Sequence, residues 1–189
     1  SKAKNYLGVI YKNGEGVEKN IIASIEYFEE AIKKDGYELS IYNLSRIYYF
    51  GIDVDQNQSK AIEILENPTV KYSLFINFFL FMIYIYQKSY EKIEFYYQII
   101  IKNCPELMDA LDYIIDLFIY DVYELEYQNF AKKTILDFFK NSDLMEYNQY
   151  LFFKEFLLAL KNEKTKEMNF FSNRFNIKNQ FYDGFGKDL

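Results

Sequence analysis

The chain has 189 residues, enough to bury a sizeable core, and its 22 Lys and Arg stand against 28 Asp and Glu for a net charge of -6. That balance argues against a phosphate-tracking surface: nucleic acid is not an expected partner, whereas another protein, a basic one included, suits it. With no His in the sequence, Ser–His and Cys–His nucleophile pairs, imidazole acid–base chemistry and the commonest zinc ligand are all excluded.

The first predicted helix covers about residues 2–13, where Ala3, Leu7, Ile10 and Tyr11 fall on one stripe at helical spacing, and Gly14 ends it. Asn20 is positioned as an N-cap for a second helix through Ile25, Phe28 and Ile32, stopped by Asp35-Gly36. The same plan then recurs, with a helix over 38–50, a loop over 51–57 and a helix over 58–66 that Asn67-Pro68 closes. Helices are expected near 70–87 and 89–103, then from 105 to 121 with Pro105 in the first turn, and from 124 to 140. A final pair is placed at 143–161 and 163–174, with a tail over 176–189 that contains Gly184 and Gly186. No segment shows sustained two-residue alternation, and no linker interrupts the chain, so one continuous all-α array is predicted.

The apolar run from Tyr72 to Tyr86 is about 15 residues, short of the roughly 18 to 20 that a spanning helix needs. It contains Asn77 and is flanked by Lys71 and Lys88, which suits a helix packed on more than one side; a membrane anchor is not expected. Cys104 stands alone, so no disulfide forms within the chain, and a reducing compartment, the cytosol, is the default localisation. The chain enters a helical pattern at Ser1-Lys2-Ala3-Lys4 with no secretory signal and no initiator Met, which reads as a fragment or a processed product. The 20 Tyr and 19 Phe, beside abundant Ile, Asn and Lys, fit an A+T-rich coding bias, with a specialised aromatic site as the competing explanation.

Leu7-Gly8-x-x-Tyr11-x-x-Gly14-x-x-Val17 returns 37 residues later as Leu44-Ser45-x-x-Tyr48-x-x-Gly51-x-x-Val54. Fixed periods of this length are the mark of stacked helix pairs. Ala3, Leu7, Gly8, Tyr11, Gly14, Gly16, Val17, Asn20, Ser24, Tyr27, Phe28 and Ala31, then Ser40, Leu44, Ser45, Tyr48, Gly51, Val54, Asn57 and Ala61, make residues 3–66 resemble the Sel-one-like repeat family, a relative of tetratricopeptide repeats. Asp53 replaces the second loop glycine, so the second loop is expected to differ slightly in shape from the first.

The resemblance implies a right-handed α-solenoid of antiparallel helix pairs: two family-like pairs over 1–67, divergent pairs over 68–175, and the tail. It implies a scaffold or adaptor that binds a partner protein, and no cofactor. Carried over from the related tetratricopeptide repeats, partner contacts on the concave face fall at Asn5, Val9, Lys12, Asn13, Tyr42, Asn43, Arg46, Tyr49 and Phe50. Arg46 among tyrosines has the composition of a binding hot spot, while Tyr49 and Phe50 could equally be packed against the next pair. The functional alternatives are an immunity or inhibitor protein that blocks a toxin, a carboxylate-dependent enzyme, which would need a cleft with two converging acids, and an architectural segment of a longer repeat protein.

Other motifs have simpler readings. Asp53 to Ser59 has the start of a calcium loop, but Gln58 and Ile64 occupy the positions that need glycine and a bidentate carboxylate. Gly14-Glu15-Gly16 follows a helix and lacks the companions of a phosphate loop. Asn43-Leu44-Ser45 and Asn57-Gln58-Ser59 are formal glycosylation sequons, of which the first falls within a predicted helix.

Overall fold

A computed structural model describes residues 1–67, 73–120 and 125–141, and every regular element among them is helical. The helices expected at 143–161 and 163–174 and the tail lie outside the described residues. Among the described residues two compact units are distinguished, the first over residues 1–105 and the second over residues 106–141. The third helix pair groups with the two family-like pairs in the first unit.

In the first unit, α1 (Lys2–Asn13) pairs with α2 (Ile21–Asp35), α3 (Glu38–Phe50) with α4 (Gln58–Leu65), and α5 (Leu74–Gln87) with α6 (Tyr90–Asn103). Successive pairs stack through α2 against α3, α1 against α3 and α3 against α5. The terminators are those the residue types dictate. Gly14, Gly36 and Gly51 close α1, α2 and α3 at φ 74, 62 and 64, where a side chain would be strained. Lys88 closes α5 in the same left-handed region at φ 54. The Asn20 and Asn57 side chains cap α2 and α4, accepting from the N–H of Ala23 at 3.0 Å and of Lys60 at 2.9 Å.

The two repeat loops are hydrogen-bonded alike. The Asn20 N–H donates to Tyr11 O at 2.9 Å, and the Asn57 N–H donates to Tyr48 O at 2.8 Å. The expected difference in loop shape does not arise: Asp53 adopts φ 55, the left-handed conformation of Gly16 at φ 73, and Lys19 pairs with its carboxylate at 2.7 Å. Asp tolerates this region better than most residues.

Between the first two pairs, Val9, Phe28, Leu44 and Ile47 form a buried cluster, flanked by Ile21, Ile25, Ile32, Tyr48, Ile52, Val54 and Ile64. Every residue from Leu39 to Ile47 in α3, and from Phe75 to Ile85 in α5, is buried. A helix buried on all sides needs no polar stripe, which explains the apolar run in α5. No helix of the described residues is long and apolar enough to cross a membrane.

Pro105–Leu107 forms a 3-10 turn ahead of α7 (Met108–Phe118) of the second unit, so the α-helix starts later than Pro105. α8 (Leu125–Asn141) buries Ala131, Ile135 and Phe139 on one stripe with four-residue spacing.

Candidate functional site

The nine positions expected to meet a partner are mostly inside the first unit. Asn5, Val9, Lys12, Tyr42, Asn43, Arg46 and Tyr49 are buried, Phe50 is half-buried, and Asn13 is exposed. Asn5 Oδ1 accepts from Ser40 Oγ at 3.0 Å and from Asn43 Nδ2 at 3.1 Å, which stitches α1 to α3 where both backbones are dry. Arg46, only 1% exposed, donates from Nη1 to Asn43 Oδ1 at 3.4 Å and holds its guanidinium 5.4 Å from the centre of the Tyr42 ring. Val9 belongs to the cluster between the pairs. Asn13 donates to Glu15 Oε1 at 2.7 Å beside the first loop.

Tyr42, Tyr49 and Phe50 are spent on the next pair. Tyr42 meets Phe75 and Phe79 edge-on, with ring centres 6.1 and 5.9 Å apart. Tyr49 meets Phe79 at 5.3 Å, and Phe50 stacks on the same ring at 6.2 Å. The aromatic-rich face of α3 is therefore an internal seam, and the packing reading of Tyr49 and Phe50 is the one the geometry supports. Of the nine side chains, Asn13 alone is exposed.

An exposed concavity lies elsewhere among the described residues, on the side of the second helices. Glu29, Ile32 and Lys33 of α2, Leu44 of α3, and Lys60, Ile64 and Asn67 line an open groove of about 250 Å³. Its floor is aliphatic and its rim carries one carboxylate and two ammonium groups. Lys60 is fixed there by donating from Nζ to Tyr48 Oη at 2.7 Å, with Nζ 4.0 Å from the centre of that ring. Glu26 and Glu63, equivalent in the 37-residue register, are exposed on α2 and α4. Sequence reasoning missed this groove, although a signal was present: Pro68 stands where the first repeat has Ala31. A helix cannot run normally into the residue before proline, so α4 stops at Leu65, whereas α2 continues to Asp35.

At the end of α4, Glu66 Oε1 accepts from Tyr84 Oη at 2.9 Å, Lys92 Nζ at 3.1 Å and Tyr96 Oη at 3.3 Å. Partial burial pushes the Glu66 carboxyl upward, but the Lys92 and Tyr84 hydrogen bonds, the Lys92 charge and the Tyr96 hydrogen bond outweigh it and hold the group below the usual carboxylate range. Burial, together with that carboxylate, drives both phenols above their ordinary value. Tyr84 and Tyr96 stack at 5.6 Å, so the contact clasps the second pair to the third.

Among the described residues, no group of three or more His, Cys, Asp or Glu side chains could hold a metal ion. The groove lining contains a single carboxylate, Glu29, where acid–base hydrolysis would need two converging ones. Asp53 faces Lys19 and Asn57 caps α4, so both residues of the calcium-like stretch serve the repeat loop. The Sel1 repeat family model matches residues 1–36 and 39–66. No curated protein and no solved structure matches the chain.

Proposed function

We propose, from the premise that residues 1–36 and 39–66 are two Sel1 repeats, that this chain is a non-catalytic module that holds a partner protein in the groove between α2 and α4. Sel1 repeats are typically protein–protein interaction modules, generally without catalytic activity, and proteins that carry them generally bind other proteins. The observation that carries the reading is the groove itself, an open concavity with an aliphatic lining of Ile32, Leu44 and Ile64 rimmed by Glu29, Lys33 and Lys60. An aliphatic anchor on the partner fills the floor, and its charged side chains pair with Glu29, Lys33 and Lys60 at the rim. Burial of the anchor supplies affinity, and the charges supply selectivity and association rate.

The test replaces Glu29 with a photo-crosslinking residue in one bait and Asn13 in another, and identifies what each captures from the native source. A partner crosslinked at Glu29 and not at Asn13, and lost when Glu29 is changed to Lys and Lys33 to Glu, supports the groove. A partner caught at Asn13 and indifferent to the charge reversals sinks it. Both side chains are exposed, so helicity is expected to survive the double change. An Arg46→Glu variant would not serve, because it places a carboxylate in a buried position and tests folding instead of contact.

A further inference from the structure

The 37-residue register lets the two repeats be compared place by place around the groove. In the first repeat the Tyr11 ring stacks on Tyr27, with centres 5.5 Å apart. The second repeat keeps the phenol as Tyr48, but it has Ile64 in the place of Tyr27 and Lys60 in the place of Ala23. Both altered residues line the groove. One change removes a ring and leaves aliphatic surface. The other lays an ammonium against the retained phenol, with Lys60 Nζ 4.0 Å from the centre of the Tyr48 ring and 2.7 Å from its Oη.

We infer that Lys60 is a carboxylate receptor within the groove, and that the partner segment docking there carries an aliphatic side chain next to Asp or Glu. This rests on the groove being the partner-binding site, and it adds the chemistry of what enters. The groove, open and about 250 Å³, falls short of the roughly 300–1,000 Å³ of a small-molecule site, so it suits a side chain of a protein segment. Glu29 and Lys33 stand four residues apart on α2, where their charges offset each other. Lys60 is the cation left over. Tyr48 holds it by a neutral phenol and ring, which fixes its position without cancelling its charge. An ammonium has three donors, and the Tyr48 bond uses one, so two remain for a carboxylate beside Ile64. The net charge of -6 does not oppose this at contact range, since its distant members are screened beyond about 8 Å at physiological salt.

The test titrates short acetylated peptides, each with a central leucine flanked by Glu, by Gln or by Lys, into the whole chain and follows the Ile64 methyl resonance. The Glu peptide is expected to bind about two- to fivefold tighter than the Gln peptide, the range of a solvent-exposed ion pair, and the Lys peptide more weakly than either. Lys60→Gln should bring the Glu-to-Gln ratio to about one, while Lys34→Gln, on α2 but outside the groove lining, should leave it unchanged. Lys60 is half-buried at the groove, and helicity checks that each variant is folded. Equal binding of the three peptides overturns the inference and leaves the groove reading standing, as does a preference for the Lys peptide. A Glu preference that survives Lys60→Gln and is lost in Lys33→Gln also overturns it, because the receptor is then on α2. No shift at Ile64 with any peptide overturns the inference together with the groove reading.

Discussion

At position 8 the first repeat has glycine for a reason visible only in its neighbour. A methyl group there would lie 2.5 Å from Phe28 Cε1, and the ring is fully buried. The second repeat has the larger Ser45 at this position and the smaller Leu65 in place of Phe28, with the serine hydroxyl donating to Tyr42 O at 2.8 Å. The two changes compensate in volume. Gly8→Ser alone is expected to cost about 1–3 kcal/mol by overpacking, and Phe28→Leu alone roughly 1–2 kcal/mol by leaving a void. Combined, they should cost less than the sum by about 1 kcal/mol, measured as a double-mutant cycle in chemical denaturation. Strict additivity would show that the two positions are not coupled. Ser24 offers a second case: its hydroxyl is buried with no hydrogen-bond partner, and the second repeat has Ala61 there. Ser24→Ala is expected to be neutral or to stabilise by about 1 kcal/mol in the same assay.

At the scale of elements, the caps and loops repeat faithfully, and the departure lies at the end of α4. Glu66 joins that end to α5 and α6 through three donors on one oxygen. Its folded pKa lies below the ordinary carboxylate value. The stability that its charge contributes is therefore present above that ordinary value and is lost as pH falls through the lower folded value. Glu66→Gln removes the charge and keeps an acceptor. The stability difference between wild type and variant should be constant near neutrality and shrink below about pH 4.5, the usual carboxylate range. A difference independent of pH would show that shape, not charge, makes the clasp. Because Glu66 remains partly exposed, the effect should also weaken in high salt.

At the scale of the whole molecule, α3 and α5 are enclosed on all sides, whereas α1 keeps an uncovered face. Amide exchange should therefore be slowest in α3 and α5 and faster in α1, especially toward Leu7. Equal protection across α1, α3 and α5 would contradict the enclosure. This enclosure separates what could be read from the residues from what could not. The pair boundaries followed from Gly14, Gly36, Gly51, Asn20 and Asn57, because caps and left-handed stops are local requirements. The groove did not follow: it depends on α4 ending two turns before its counterpart α2.

The sequence by itself determined that this chain is helical and paired, and that its opening pairs repeat after 37 residues and resemble Sel1 repeats, because periodicity, caps and turn residues act within a few positions of one another. Tertiary structure alone decided which faces stay open. Tyr42, Arg46 and Tyr49 have the composition of a binding surface, yet they are buried because a third pair supplies Phe75 and Phe79 against them. Leu7 and Leu44 are identical in type and register, and only one has a neighbour to cover it. Exposure is a property of what packs on a residue, and a residue's own identity does not carry that information.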